Sequence, residues 1–250
     1  MTITIQYEAF EFNAFIVSLA RSTERRKAME RSAGAAGIPW AWWDAVDGSD
    51  PSFSPETYHG AVLSGRYLDD PSLVRQKGTI GCTLSHYLLW RRLGEEVNTG
   101  RRDPSLPVLV LEDDVEMHAQ FRQLLPLAFT DLPGDFDLLM LTGWPGDLRC
   151  YWGQQRAGRN LLRLRNFCVH TTAAYFINTA RIDRILGVML PFVTEIDIDI
   201  ASRRQRLGLY MAATSPPLCR AQVSTASARL EVDYQAQIAA HAGLTGKSGP

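Results

Sequence analysis

The chain has 250 residues and a formal net charge of −1, which leaves room for one large α/β domain or two small ones and argues against a general nucleic-acid binder. Hydrophobic residues make up 46%, enough to build a sizeable core. No apolar run is long enough to span a bilayer, and the first eight residues lack the basic start and apolar centre of a signal peptide, so a cytoplasmic location is expected, with at most peripheral contact at the inner face of a membrane.

Residues 15–19 read as a first buried strand. Ser22 is placed to cap a helix that carries Glu24 in its first turn and ends near Gly34 or Gly37. Residues 38–43 form a second extended segment, closed by Asp44-Ala45-Val46-Asp47-Gly48. This β-α-β order favours a parallel sheet with a right-handed crossover. Arg21, Arg25 and Arg26 follow the first strand, either as a solvated helix face or with one of them reaching a nucleotide at the sheet edge. Residues 49–77, rich in Pro, Gly, Ser and Asp, read as an irregular segment with short helical turns. Residues 78–93 then read as a helix with Thr79 as its cap. Cys82, Ser85, His86, Leu89 and Leu93 share one face and Leu84 and Leu88 another, so this helix is expected to be well buried. Ser85 and His86 then need partners, and a buried histidine is more often structural than catalytic.

Residues 106–115, Leu-Pro-Val-Leu-Val-Leu-Glu-Asp-Asp-Val, organise the rest. The unbroken apolar run from Val108 to Leu111 suits a strand buried on both faces. Glu112, Asp113 and Asp114 follow at once, and three adjacent anions need something cationic to meet them. A buried strand that stops at carboxylates delivers them to the carboxyl edge of a sheet, where open α/β folds bind ligands. Hard oxygen ligands there suit Mg²⁺ or Mn²⁺ carrying phosphates. The plainer alternative is a set of solvated acids that start the next helix.

Beyond the acids, residues 118–125 read as a helix interrupted at Pro126, and residues 136–141 as a further strand leading into residues 142–147 at the same edge. Arg149, Arg156, Arg159, Arg163 and Arg165 form either a solvated rim or a site for an anionic acceptor or lipid headgroups. Residues 174–177 read as another strand, with Asn178 capping an amphipathic helix that carries Ile182, Ile185, Leu186 and Met189. Residues 195–200 alternate like a strand, but the basic, Gly-terminated segment after them favours a helix starting near Asp197. Residues 209–212 read as a short strand and 216–222 as extended; the tail from Ser224 is expected to be poorly ordered at its end. The four cysteines, Cys82, Cys150, Cys168 and Cys219, form no C-x-x-C pair and fit reduced thiols.

Taken together, these blocks resemble glycosyltransferase family 25, which includes lipopolysaccharide-biosynthesis enzymes and relatives of the collagen galactosyltransferases. The matching blocks are residues 16–19 with Arg21, Arg25 and Arg26; Ala45-Val46-Asp47-Gly48; Gly81-Cys82-Thr83-Leu84-Ser85-His86 with Trp90 downstream; Leu111-Glu112-Asp113-Asp114-Val115; Asp197; and residues 217–222. The likeness runs from about Phe15 to Gln222, and the helix block followed by the acid block is its most specific part. Two departures stand out. Thr171, Thr172 and Ala173 replace the family's Gly-Thr-His, with His170 the nearest histidine, and Thr79 stands where an acid is common. Both are read as lying near the acceptor side.

The resemblance implies a GT-A-like, Rossmann-type α/β fold with a mostly parallel central sheet flanked by helices. It would form a single domain, with a nucleotide-sugar-binding half at about 12–115, an acceptor half at about 116–223 and a tail at 224–250. It further implies a UDP-sugar donor carrying galactose or glucose, a glycan, lipid-linked or peptide acceptor, Mn²⁺ or Mg²⁺, and inversion at the anomeric carbon. Asp114 is assigned to the metal together with Glu112, and Arg21, Arg25, Ser85, His86, Glu112 and Asp113 to the donor. Inversion by single displacement needs a general base beside the acceptor hydroxyl. Asp197 is the first choice, with Glu195, Asp199 and Asp147 open, and the plainer role for Asp197 is a helix cap. The alternatives to this activity are another metal-dependent phosphoester-processing enzyme and a non-catalytic glycan- or nucleotide-binding descendant of the fold.

Overall fold

The structure is a computed structural model and describes residues 11–69, 77–143, 154–168 and 171–221. In chain order these form β1 (Asn13–Ser18), α1 (Thr23–Ala35), β2 (Ala41–Asp44), a 3-10 turn (Pro55–Tyr58), α2 (Gly65–Asp69), α3 (Lys77–Asn98), β3 (Val108–Glu112), β4 (Val115–Met117), α4 (Phe121–Phe129) and β5 (Leu138–Met140). There follow β6 (Gln155–Arg156), β7 (Leu161–Arg163), β8 (Ala174–Ile177), a second 3-10 turn (Thr179–Arg181), α5 (Ile182–Met189), α6 (Ile196–Ser202), β9 (Leu209–Ala212) and β10 (Cys219–Ala221).

Eight strands form one sheet in the order β2-β1-β3-β8-β5-β9-β7-β6, while β10 and β4 make a separate antiparallel pair. The pairings set β1, β2, β3, β5, β9 and β6 in one direction and β8 and β7 in the other. The sheet is therefore mixed but mostly co-directional, an α/β architecture, and it runs unbroken through strands from both sequence halves.

Strand alternation explains the two cores. Val108 and Val110 of β3 point to the face covered by α3, α5 and α6, with Leu84, Leu93, Ile185 and Ile200. Leu109 and Leu111 point to the opposite face, with Met29 of α1 and Phe121 and Leu125 of α4. A strand covered on both faces must be apolar throughout, and β3 is buried over its first four positions and emerges only at Glu112. The chain leaves β1 toward β2 on one side and returns to β3 on the other, with α1 and α3 on opposite faces. The carboxyl ends of β1 and β3 thus flank a topological switch point, where such sheets open a crevice.

Several sequence expectations are corrected. The acids do not start a helix: Asp113 and Asp114 turn the chain into β4. α3 begins at Lys77, so Thr79 lies inside its first turn instead of capping it. α4 continues through Pro126; its buried face of Phe121, Leu125 and Ala128 holds it across the missing donor, and the Pro126 carbonyl accepts the Thr130 N–H at 3.0 Å. Ser22 occupies the cap position of α1 without a side-chain capping bond. Asn178 accepts from Ala180 N at 3.2 Å and so caps the second 3-10 turn, not α5, whose cap position is held by Arg181; α6 forms where a helix was preferred over a strand. No helix among the described residues is long and apolar enough to cross a membrane.

Candidate functional site

A cleft of about 540 Å³ opens at the switch point. Its walls are the end of β1 (Val17, Ser18, Leu19), Arg21 and Arg25, the loop Ala45 to Ser49, the start of α3 (Lys77, Gly78, Cys82, Ser85, His86) and the acids Glu112, Asp113 and Asp114. Of the residues assigned from sequence, all the donor and metal candidates come together here, and Asp197 does not line it.

The loop and the helix start are held at backbone distance. A Cβ on Gly48 would lie 1.9 Å from the Lys77 carbonyl oxygen, and one on Gly81 would lie 2.6 Å from the Val46 carbonyl oxygen. Ser85 completes the joint: its hydroxyl donates to the Gly81 carbonyl at 2.6 Å and accepts the Val46 N–H at 2.8 Å. Trp43 Nε1 donates to the Ser85 carbonyl at 3.0 Å. The Ser85 hydroxyl is thus committed to shaping the cleft wall.

The acids do meet a cation. The exposed Arg25 guanidinium lies 2.5 Å from Asp113 Oδ1 and 2.8 Å from Asp114 Oδ2. Asp113 also accepts from Ser18 Oγ at 2.6 Å, which ties the acid turn to the end of β1. Burial pushes the Asp114 carboxyl up to about 6, helped by the Glu112 and Asp113 charges and opposed by Arg25. Arg21 pairs with Asp47 at 2.5 Å; its hydrogen bond, with those from Ser49, holds that carboxyl well below the usual range.

Glu112 Oε1 accepts from Thr172 Oγ1 at 2.7 Å and lies 3.2 Å from His86 Nε2. Burial pushes the Glu112 carboxyl up, but these bonds and the charges around it outweigh burial and the net shift is down. Behind it, His86 Nδ1 lies 2.8 Å from Tyr175 Oη, which accepts the Trp90 indole N–H at 2.8 Å. Thr172 therefore belongs with the acids, not with the acceptor side where its segment was read.

Among the described residues one group of three could offer donors to a metal. Cys82, His86 and Glu112 offer atoms within 4.8 Å of one another. Burial, with the Glu112, Asp197 and Asp114 charges, pushes the Cys82 thiol well up. Glu112 and Asp114 both line the cleft, and their carboxylate oxygens are the donor type that a hard divalent ion takes.

Asp197 stands in the first turn of α6, after the cap position held by Glu195, and its Oδ1 accepts the Ile198 N–H at 2.8 Å. Burial pushes its carboxyl up to about 6, with the Glu112 and Glu195 charges adding to the shift, so it feels the acid turn electrostatically. Asp199 is fully buried, accepts the Val193 N–H at 2.7 Å and faces Arg203. Glu195 bonds the Thr194 hydroxyl. Asp147, Arg149 and His170 lie outside the described residues. Sequence reasoning missed Ser18, Lys77, Thr172 and Tyr175 as site residues; the available signal was Tyr175, a phenol inside an otherwise apolar buried strand.

A family model described as Glycosyltransferase family 25 (LPS biosynthesis protein) matches residues 12–171. A Homo sapiens protein named inactive glycosyltransferase 25 family member 3 is 36% identical over 131 residues, 51% of this chain and 21% of that protein. A Drosophila melanogaster glycosyltransferase 25 family member is 36% identical over 111 residues, 44% of this chain and 17% of its own length. The chain thus matches these relatives over about a fifth of their length. A solved galactosyltransferase in complex with donor and acceptor sugar analogues aligns loosely, with a TM-score of 0.38 and 14% identity, over 80% of this chain and 73% of that one.

Proposed function

The chain belongs to glycosyltransferase family 25, and from that premise we propose that it is a metal-dependent inverting glycosyltransferase. It moves a hexose, galactose or glucose, from a UDP-sugar to a hydroxyl of a glycan, lipid-linked or peptide acceptor. The observation that carries this reading is the acid turn at the switch-point cleft: Glu112, Asp113 and Asp114 face the same space as Arg21, Arg25 and Lys77. Acids alone would repel a diphosphate, and cations alone would not hold a divalent ion.

In this reading Asp114 and Glu112 would hold Mn²⁺ or Mg²⁺, which would supply positive charge against the leaving diphosphate. Arg21, Arg25 and Lys77 bind and orient the phosphates, and Asp113, fixed by Ser18, keeps the turn in place. His86 orients Glu112. Asp197 takes the acceptor hydroxyl's proton as the new bond forms, because a free alcohol is too weak an acid to ionise at neutral pH.

A second reading is favoured by one observation. Arg25 already neutralises Asp113 and Asp114, as it would in a nucleotide-binding descendant without turnover. One experiment separates the two. UDP-sugars are screened for slow donor hydrolysis and for transfer, with Mn²⁺ and with chelator. Mn²⁺-dependent release of sugar supports the enzyme, UDP binding without release from any donor supports the descendant, and cleavage of unrelated phosphoesters contradicts both.

A further inference from the structure

Arg25 and Arg26 are neighbours in the first turn of α1, yet the fold sends their side chains to different places. The Arg25 side chain is 51% exposed and lines the cleft, where it meets Asp113 and Asp114. The Arg26 side chain is 19% exposed and does not line the cleft. Its Nη2 donates to the Ser18 carbonyl at 2.9 Å and to Asp44 Oδ1 at 2.5 Å, and its Nε donates to Ser18 Oγ at 3.3 Å. The guanidinium also lies over the Trp42 ring, 4.8 Å from its centroid. A solvated helix face and a nucleotide contact were the two roles open to Arg26 from sequence, and it takes neither.

Strand register makes Ser18 the link from Arg26 to the acid turn. Ser18 pairs with Asp44 of β2 on one side, and on the other Val17 pairs with Glu112 of β3, so the position past that pair sets Ser18 beside Asp113. Ser18 is 2% exposed. Its hydroxyl donates to Asp113 Oδ2 at 2.6 Å, and the Leu19 carbonyl at 3.3 Å is the poorer acceptor. An arginine N–H only donates, so the bond from Arg26 uses a lone pair of Ser18 Oγ and does not compete with Asp113 for its proton. Arg26 thus reaches three strand ends: β1 by its carbonyl, β2 by Asp44 and, through one hydroxyl, the turn after β3.

We infer that Arg26 is a positioning residue for the acid turn: it clamps the carboxyl ends of β1 and β2 from outside the cleft and, through the Ser18 hydroxyl, sets where Asp113 and Asp114 sit. Its shape matters as much as its charge. A planar fork serves the Ser18 carbonyl, the Ser18 hydroxyl and Asp44 at once, whereas a lysine ammonium is one nitrogen on a flexible stem. The ion pair with Asp44 is not the anchor by itself, because the Asp44 side chain is 73% exposed and exposed pairs contribute little. The consequence for nucleotide binding rests on the glycosyltransferase reading; the placement of the turn does not.

The test is amide ¹H–¹⁵N correlation spectroscopy of aspartate-labelled protein without ligand, with the turn signals assigned by their loss in Asp113→Ala and Asp114→Ala. Arg26→Lys keeps the charge and breaks the fork. It is expected to move both turn signals and to leave Asp183 of α5 and Asp199 of α6 in place, which separates a displaced turn from a loosened fold. In Ser18→Ala the turn signals are expected to move as well, and adding Arg26→Lys to that variant is expected to move them no further. Turn signals that stay put in Arg26→Lys, or that Arg26→Lys moves by as much without the Ser18 hydroxyl as with it, would overturn the inference. If Arg26→Lys does not fold, Ser18→Ala alone still decides, since unmoved turn signals there would break the link. Calorimetric titration of UDP with Mn²⁺ reads the consequence: Arg26→Lys is expected to lose affinity by about 10–100-fold, and to lose nothing more where Ser18→Ala is already present. Wild-type affinity in Arg26→Lys would show that the turn does not need the clamp. A wild type that binds no UDP would fail the glycosyltransferase reading and leave the turn signals to decide on Arg26.

Discussion

Burial pushes the Asp197 carboxyl up to about 6 in the folded chain, against about 3.9 when unfolded. The fold favours its protonated form. Its contribution to stability is therefore complete below about pH 4, declines as pH rises toward 6, and is gone above that. Relative to pH 4, the ionised carboxylate at pH 7.5 leaves the fold less stable by on the order of 1 kcal/mol once its partial exposure is allowed for. Asp197→Asn is predicted to raise the melting temperature at pH 7.5 while cutting transfer by roughly 10²–10⁴-fold, with UDP binding unchanged. Wild-type transfer is predicted to rise with pH through about 6 and then level, and the variant to lose that limb when both are assayed at saturating Mn²⁺, which would hold Asp114 ionised. A variant that loses stability and activity together would make Asp197 a helix cap. Asp199→Asn serves as the contrast: its side chain is buried against the Val193 N–H and Arg203, so it is predicted to destabilise the fold and leave the pH limb intact.

At the scale of elements, the cleft depends on how closely the 45–49 loop meets the start of α3. Gly81→Ala would push a methyl to 2.6 Å from the Val46 carbonyl oxygen, and backbone cannot yield as a flexible side chain does. The predicted cost is about 1–3 kcal/mol in denaturant unfolding, with weaker UDP binding because Ser85 loses its grip on Val46. Gly34→Ala is the control, since nothing lies within 4 Å of its Cβ and it sits in α1, so it is predicted to be neutral or to stabilise by up to about 1 kcal/mol. Elements with a strong period or an unbroken apolar run were legible from sequence: β3 by its Val-Leu-Val-Leu run and α3 by its faces. Boundaries set by tertiary contact were not. Pro126 ends a helix by local rules, yet packing of Phe121 and Leu125 carries α4 through it. β4 forms because Val115 to Met117 pairs with β10 about a hundred residues later, which no local pattern announces.

For the whole molecule, the site is legible in proportion to how much of it is local. Glu112, Asp113 and Asp114 are adjacent in sequence, and a strand ending in acids points to a sheet edge by itself. The shell behind them is not local: Tyr175 lies 89 residues from His86 and Thr172 lies 60 from Glu112, brought close only because β8 inserts antiparallel beside β3. If the cleft binds nucleotide through a metal, ligand linkage must stabilise the entire sheet. UDP with Mn²⁺ at about a hundredfold over Kd is predicted to add about 2.7 kcal/mol, read as a rise of several degrees in melting temperature, with neither UDP nor Mn²⁺ alone giving that rise. The most direct measurement is calorimetric titration of UDP into wild type and Asp114→Ala, each with Mn²⁺ and with chelator. The account predicts tight binding only for wild type with Mn²⁺, because Glu112, Asp113 and Asp114 otherwise repel the diphosphate. Equal UDP affinity in wild type with Mn²⁺ and with chelator, or an Asp114→Ala variant that binds as wild type does, would contradict it.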